Sequence, residues 1–296
     1  MTSLTLRQLS YFEAVLRHGH FGRAAEACAI SQPALSMQIK ELEQTLGASL
    51  LERSGRKVAP TGLGELVGER VREILRAVDE LEALARTERD GLAGPLRLGV
   101  IPTVAPYLLP RIVARLATLY QDIDVRIRES ITPTLIRELS ERRLDAALVA
   151  LPVSEPSLEE TALFSESFVL VRPLADAGEP VPEPDTLARM KLLLLEEGHC
   201  FREQALSFCG REAPRPRELM DGSSLSTLVQ MVGAGIGVTL IPEMAVSVET
   251  RSASVSVTAF DDPKPTRTIG MVWRRTSPLA PQLRRIAEAI EGVARS

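Results

Sequence analysis

Two cysteines stand near a histidine and an arginine in the second half of the chain, and together they have the composition of a thiol redox site. Cys200 directly follows His199 and comes two residues before Arg202, while Cys209 lies nine positions further on. Positive charge beside a thiol favours the reactive thiolate, which peroxide oxidises to a sulfenic acid that a second thiol resolves to a disulfide. In this scheme Cys200 would be the attacking residue and Cys209 the resolving one.

The spacing of these cysteines links their pairing to a change of conformation. Nine residues of a continuous helix rise about 13.5 Å, whereas the Cα atoms of a disulfide lie within about 7 Å. A helical segment would therefore have to unfold before the sulfurs meet. Judged by spacing alone, two such cysteines are more often small buried apolar residues. No Cys-x-x-Cys pair or second clustered histidine indicates a metal site, and we expect neither a metal nor a cofactor.

Composition and charge indicate an ordinary protein of about two domains. The chain has 296 residues, a net charge of −4 and 45% apolar residues. Residues 1–60 carry seven Lys/Arg against five Glu, so a mild basic excess of +2 lies at the N-terminus. We see neither a secretory signal nor an apolar run of the roughly 20 residues that a membrane span needs. We therefore expect a cytoplasmic protein without membrane contact, whose thiols are normally reduced.

The first segment, residues 1–60, has the pattern of a winged helix-turn-helix domain. Its third helix is expected to begin after a Ser31 cap, with Pro33 in the first turn, and to stop at Gly47. A basic hairpin over 50–58 follows. The second helix of such a motif enters the major groove of double-stranded DNA, where glutamine can pair with an adenine edge. The predicted DNA-binding residues are Ser31, Gln32, Pro33, Ala34, Ser36, Gln38, Arg53, Arg56 and Lys57. A three-helix protein-interaction module is the alternative. Cys28, on the apolar side of the second helix, is interpreted as a core residue.

Residues 61–91 are expected to form one long helix that ends in a Gly/Pro-rich linker. Apolar residues recur along it with the a/d rhythm of a coiled coil, which predicts dimerisation. The seam residues are Val67, Val71, Ile74, Val78 and Leu81. The alternative is a helix that packs on its own domain.

Residues 92–296 alternate between strands and helices, which predicts an α/β domain with a doubly wound, mostly parallel sheet. The chain is expected to form one lobe over about 95–163 and 268–296 and another over about 164–267, with a ligand cleft between them. Ser223 and Ser224 precede a helix over 226–232. They would bind an anion at its N-terminus, and a plain N-cap explains them equally well.

The N-terminal segment also resembles the LysR family of bacterial regulators. The resemblance lies in Ala24-Ala25-Glu26, in the run Ser31-Gln32-Pro33-Ala34-Leu35-Ser36, in Leu46-Gly47 and in Leu50-Leu51-Glu52-Arg53. It implies a winged helix-turn-helix, a dimerising linker helix and a two-lobed effector domain similar to periplasmic binding proteins. It further implies a homo-oligomer, either a dimer or a tetramer, and a contact with RNA polymerase.

The cysteine segment is similar to that of the OxyR peroxide sensors within this family. The similar stretch runs from Leu194 to Cys209, and Gly99–Pro110 and Arg267–Gly270 look alike as well. The resemblance implies that hydrogen peroxide oxidises Cys200 and that Cys209 pairs with it. The residues it assigns to the peroxide pocket are Thr103, Thr132, His199, Arg202 and Glu203. Glu203 departs from the family pattern, in which an aspartate stands, so its part in proton transfer is open.

The sequence thus predicts a DNA-binding regulator of the oxidative-stress response and not an enzyme. Two rivals remain. One is a LysR-type regulator that senses a small metabolite in the cleft, and the other is a thiol peroxidase that also binds DNA. A redox-independent interaction protein is a more distant alternative.

Overall fold

The computed structural model describes residues 4–54, 57–87, 94–187, 189–208 and 220–294, and it divides into two compact units, Met1–Ala85 and Arg86–Ser296. The first unit holds three helices, a two-stranded hairpin and most of a long helix. Their bounds are α1 (Leu6–His18), α2 (Phe21–Ala27), α3 (Gln32–Leu46), β1 (Leu51–Ser54), β2 (Lys57–Pro60) and α4 (Gly62–Thr87).

Local signals in the sequence set the ends of these helices. Thr5 and Gln8 form a capping box at the start of α1. The Ser31 side chain caps α3, and Gly47 ends it in the left-handed conformation at φ 71°, as the sequence predicts. The three helices enclose a core in which Phe12 and Leu35 are fully buried.

The threonine before α4 joins this helix to the hairpin. The Thr61 amide donates to the Leu50 carbonyl at 2.9 Å, and the Thr61 hydroxyl accepts from the Gly64 amide at 2.9 Å. The chain passes so close that a Cβ at position 64 would lie 1.9 Å from the Leu50 oxygen. Any residue with a side chain at this position would have to displace the Leu50 backbone.

The second unit has the predicted α/β alternation. Its strands are β3 (Gly94–Val100), β4 (Ile123–Glu129), β5 (Ala146–Leu151), β6 (Leu158–Pro173), β7 (Leu193–Leu195), β8 (Met220–Gly222), β9 (Thr239–Pro242), β10 (Val255–Ala259) and β11 (Thr266–Arg274). Its helices are α5 (Ala105–Leu119), α6 (Thr132–Ser140), α7 (Pro184–Leu187), α8 (Cys200–Phe208), α9 (Leu225–Gly233), α10 (Val246–Glu249) and α11 (Ala280–Ala294), with 3-10 turns at Leu174–Asp176 and Glu243–Ala245.

The main sheet is mixed, so the prediction of a mostly parallel sheet is wrong. Its strand order is β10-β6-β11-β5-β3-β4, and β9 also pairs with β6. Only the β3–β4 and β3–β5 pairs are parallel, because β6 and β11 run in opposite directions through the middle of the sheet. The apolar pattern of a buried strand carries no information about its direction, and the first half of β6 and all of β10 were not predicted.

Two hydrophobic cores are built on this one sheet. The first core is formed by residues within 96–163 and 269–293, and the second core by residues within 168–260. β6 runs from the first core, with Leu158 and Leu163, into the second, with Phe168, and it pairs with β11 along Leu158–Ser167 and Thr266–Arg274. Along the described ranges, no helix has the length and apolar composition that crossing a membrane requires.

A pair of glycine substitutions tests the close passage at the start of α4. We expect Gly64→Ala to lower the free energy of unfolding by about 1–3 kcal/mol, since the new methyl group must displace the Leu50 backbone. Gly62→Ala is the matched control, because a Cβ there meets nothing within 4 Å. Urea denaturation should show the control unchanged or stabilised by up to about 1 kcal/mol, and equal losses in the two variants would contradict the close contact.

Candidate functional site

Cys200 is the first residue of α8 and follows a tight turn after β7. Gly198, two residues earlier, adopts φ +92°, where a residue with a side chain is strained. The Arg202 amide donates to the His199 carbonyl at 3.0 Å, which closes the first helical turn. Gly198 and His199 therefore lead directly into α8. The sulfur consequently lies at the helix end whose partial positive charge favours anions.

The Cys200 side chain lies between the two cores. The next residue, Phe201, is 1% exposed and belongs to the second core, together with Ala205. Cys200 itself is half-buried and packs against the first core. Its helix is thus fixed in one core while its sulfur faces the other.

A cavity of about 360 Å³ opens beside this sulfur, and both cores supply its walls. Thr132 and Ala150 line it from the first core, and His199, Cys200 and Glu203 line it from the other side. The Thr132 hydroxyl oxygen is buried and has no hydrogen-bond partner among the described residues. Thr132 is thus a residue of the cavity wall whose hydroxyl has an unused capacity to donate and accept a hydrogen bond.

Thr103 lies apart from the lining of this cavity and belongs to a buried hydrogen-bond network. Its hydroxyl oxygen accepts from Arg267 Nη1 at 2.7 Å, and its carbonyl accepts from Nη2 at 3.1 Å. The same guanidinium pairs with Glu166 and lies 5.6 Å from the centre of the Phe201 ring. Arg267 was noted in the sequence only within a resembling run, and Glu166 was missed, because their pairing depends on two strands 101 positions apart in sequence.

Glu166 is a buried carboxylate that forms an ion pair with the buried guanidinium of Arg267. Burial raises its pKa, and the neighbouring Arg267 charge opposes this effect. One oxygen accepts from Arg267 Nε at 2.7 Å, and a backbone hydrogen bond from Met244 also acts against the rise in pKa. The ion pair thus holds Arg267 between Thr103 and Phe201, where the guanidinium is buried away from solvent.

The two predicted cations beside Cys200 differ in their surroundings. Burial lowers the pKa of His199 in spite of the nearby Glu196 charge, so the imidazole is neutral at neutral pH. As the pH falls through about 6.5, the unfolded chain takes up this proton first and the fold loses stability. Arg202 Nη1 donates to the Leu195 carbonyl at 2.8 Å, which ties α8 to the end of β7. Cys209 lies outside the described residues.

The start of α3 is an exposed surface suited to a DNA groove. Ser31, Gln32 and Pro33 are exposed, while Ala34 and Ser36 are half-buried. Gln38, on the next turn, donates to Glu41 at 2.9 Å. Of the predicted wing residues, Arg53 lies on β1 and Lys57 on β2, and Arg56 is outside the described residues. Cys28 is half-buried against the hydrophobic core of the first unit, where burial raises the pKa of its thiol.

The apolar seam of α4 is divided between two environments. Val71 is 2% exposed in the core of its own unit, and Val67 packs there too. Ile74 and Leu81 are exposed, and Val78 is half-buried. A groove of about 500 Å³ runs along this face of the helix and is lined mostly by apolar residues of α1, α3 and α4, together with Glu69 and Arg70 of α4.

One of the two serines before α9 has an ordinary capping role. Ser224 is the N-cap residue of this helix, and its hydroxyl oxygen accepts from the Thr227 amide at 3.2 Å. The plain N-cap interpretation of the sequence is therefore confirmed.

Two family models match the chain, one for each part. Residues 6–65 match the bacterial regulatory helix-turn-helix protein of the lysR family, and residues 89–295 match the LysR substrate binding domain. This order of domains defines a LysR-type DNA-binding transcription regulator.

Curated relatives and solved structures narrow the class. The DNA-binding transcriptional dual regulator OxyR of Escherichia coli K12 is 40% identical over 97% of this chain and 95% of that protein. A full-length OxyR of Pseudomonas aeruginosa with a cysteine-to-aspartate substitution has a TM-score of 0.75 and 34% identity, covering 100% of this chain and 98% of the other. A cysteine-to-serine mutant of Corynebacterium glutamicum OxyR with bound H2O2 has a TM-score of 0.68 and 34% identity, covering 98% and 92%. The chain belongs to the OxyR group of the LysR family, whose members are regulators and not enzymes.

The turn before Cys200 depends on Gly198 for two separate reasons. Besides its positive φ, a Cβ there would lie 2.8 Å from Ile131 Cδ1, whereas Gly235, at φ +76°, has nothing within 4 Å of a Cβ. We expect Gly235→Ala to cost about 1–2 kcal/mol through backbone strain alone. Gly198→Ala should cost a further ~1 kcal/mol or more through the clash.

The clash can be removed without touching the backbone, because Ile131→Val deletes the Cδ1 methyl. In urea denaturation, Ile131→Val should recover part of the stability in the Gly198→Ala background and none in the Gly235→Ala background. Identical losses for the two glycine variants would refute the contact between this turn and Ile131.

Proposed function

We propose that the chain is a cytoplasmic transcription regulator of the oxidative-stress response, switched by hydrogen peroxide at Cys200. The observation that carries the proposal is the position of this sulfur, at the start of α8 beside a cavity with an unpaired Thr132 hydroxyl. The peroxide-inducible activators among the relatives support the same substrate.

The proposed chemistry uses one peroxide and two thiols. The Cys200 thiolate attacks one oxygen, the O–O bond breaks, and the leaving hydroxide takes up a proton to become water. The Cys209 thiolate then attacks the sulfenic sulfur, and a second water leaves as the disulfide forms. Two thiols are oxidised by two electrons in total, and one H2O2 is reduced to two waters.

The pocket residues would divide the work of holding peroxide. In our proposal Thr132 donates to one peroxide oxygen, while His199 and Glu203 accept or pass protons at the cavity wall. Thr103 does not contact peroxide in this proposal; it accepts a 2.7 Å hydrogen bond from Arg267 and so helps to hold Arg267 beside Phe201. Arg202 holds the start of α8 through its hydrogen bond to the Leu195 carbonyl.

Pairing with Cys209 would require α8 to unwind. This helix occupies Cys200–Phe208, so Cys209 is the next residue along the chain. Phe201 packs edge-on against Phe168 at 4.9 Å between ring centres, and Phe208 packs in the same way against Phe260. These contacts would break on oxidation, and the second core would rearrange.

We propose that the chain is divided into a DNA-binding head (1–60), a linker helix (61–91) and a sensor (92–296). The rearrangement of the sensor would reach the head, and so the DNA, through the linker helix. We propose that a homodimer or tetramer forms along α4, with Ile74, Val78 and Leu81 facing a partner. The apolar groove beside the exposed part of this seam supports that role. A change in the spacing of paired heads alters their grip on half-sites and the contact with RNA polymerase.

The alternative is a regulator that senses a small metabolite in the same cavity. The cavity volume of about 360 Å³ lies within the range of small-ligand sites, and this observation supports the second function.

Cysteine variants separate the two functions. We expect Cys200→Ser to abolish the change in operator binding that peroxide causes, whereas Cys28→Ser, a matched cysteine in the head, should respond like the unaltered protein. Cys209→Ser should still form a sulfenic acid at Cys200, captured by dimedone and found by mass spectrometry, without a disulfide. A Cys200→Ser protein that keeps the normal peroxide response would exclude Cys200 as the switch, and an unaltered protein whose operator binding does not change with peroxide would leave the metabolite sensor.

Two glutamines on α3 test the DNA-binding surface. We expect Gln32→Ala to weaken operator binding by about 1–3 kcal/mol, the usual worth of a bidentate base contact. Gln44→Ala, an exposed glutamine at the other end of the same helix, should leave affinity nearly unchanged. Fluorescence anisotropy on an operator selected from random duplexes gives both values, and equal effects would show that the start of α3 does not read bases.

A further inference from the structure

Two side chains cross between the cores of the second unit in opposite directions. Cys200 starts from α8, a helix of the second core, and packs against the first core. Tyr107 starts from α5, whose Leu108 and Ile112 belong to the first core, and its ring packs against the second core. The reaction cavity and the Tyr107 contact therefore lie across the same interface.

The Tyr107 hydroxyl ends on a buried carboxylate of the second core. It donates to Glu249 Oε1 at 2.6 Å, and the Ser226 hydroxyl donates to Glu249 Oε2 at 2.5 Å. Glu249 is 8% exposed and is the last residue of α10, while Ser226 lies on α9. Both carboxylate oxygens are occupied, which fixes the orientation of the acceptor that meets Tyr107. We call these three residues the carboxylate bridge.

The tyrosine stays a hydrogen-bond donor under all working conditions. Burial and the Glu249 carboxylate raise the pKa of Tyr107 far above its usual range, and the Arg267 and Glu129 charges act in opposite directions on it. The bond to Glu249 is therefore maintained across neutral pH.

The start of α5 is thus held twice. Thr103, just before this helix, is bonded to Arg267, and Tyr107, within its first turn, is bonded to Glu249. The first tie reaches Arg267 on β11 and, through it, Glu166 on β6, while the second reaches α10 of the second core. Together they restrict the position of the start of α5 relative to the second core. Since Thr132 and Cys200 line the cavity from different cores, its shape depends on this relation.

We propose that Glu249 is a positioning residue for the reaction of Cys200 with peroxide, because it holds Tyr107 and so fixes the spacing of the two cores across the cavity. The proposal rests on the proposed function. Peroxide must fit between the sulfur and the donors on the opposite wall, and a displacement of the order of 1 Å lowers such rates strongly. A reagent that needs only access to the thiolate does not require this alignment.

The test compares two reactions of Cys200 in the full chain. Mass spectrometry follows its oxidation by H2O2 with dimedone capture, and separately its alkylation by iodoacetamide. We expect Tyr107→Phe and Glu249→Gln to lower the ratio of the peroxide rate to the alkylation rate by about 10-fold or more. Tyr107→Phe keeps the ring and removes only the donor, so it decides the matter if Glu249→Gln fails to fold.

Asp145→Asn provides the matched control. Asp145 is 3% exposed and accepts from the Arg97 amide and guanidinium, so it is also a buried, bonded carboxylate, but both residues lie within the first core elements. Its ratio of rates should stay within about twofold of the unaltered protein, since it leaves the spacing of the cores intact.

The outcomes are distinct. Unchanged ratios in Tyr107→Phe and Glu249→Gln, or a parallel fall of both rates, would overturn the role of Glu249. If Cys200 of the unaltered protein reacts with peroxide no faster than free cysteine does, it is the proposed function that fails.

Discussion

The two cysteines of the proposed switch cannot meet while α8 remains helical, and this constraint gives oxidation its effect on structure. Cys200 begins the helix and Cys209 follows its last residue, Phe208. Burying one phenylalanine side chain is worth about 1.5–3 kcal/mol, so losing the Phe201 and Phe208 contacts has a real cost. Because about 1.4 kcal/mol corresponds to roughly 30 mV for a two-electron couple, that cost makes the disulfide easier to reduce and the switch easier to reset.

The same helix, α8, also contacts the ion pair between β6 and β11. Phe201 lies beside Arg267, and Arg267 is bonded to Glu166 on β6 and to Thr103 before α5. A displacement of Phe201 therefore alters the surroundings of a buried charge on the crossing strands. Buried ion pairs are sensitive to such changes because an uncompensated charge is costly away from water.

The sequence predicts features that depend on neighbours along the chain. The Ser31 cap and the Gly47 stop both follow from local residue types, and the structure has each of them. The cysteine segment could likewise be found by its composition and its resemblance to peroxide sensors.

Features that depend on tertiary contacts cannot be predicted from neighbours along the chain. Tyr107 and Glu249 are 142 positions apart, and nothing in either local sequence indicates the other. The expected positive charge of His199 is another case, because the residue type is visible in the sequence while the burial that lowers its pKa is not. Val71 fits a coiled-coil seam by spacing, yet the hydrophobic core of its own unit covers it.

Hydrogen exchange of the segment 200–208, measured by mass spectrometry before and after one equivalent of peroxide, shows whether oxidation unwinds α8. The amides of this segment should lose protection on oxidation in the unaltered protein and keep it in a Cys209→Ser variant, where no disulfide can form. Full protection of this segment in protein that carries the Cys200–Cys209 disulfide would show that the two cysteines pair without unwinding the helix.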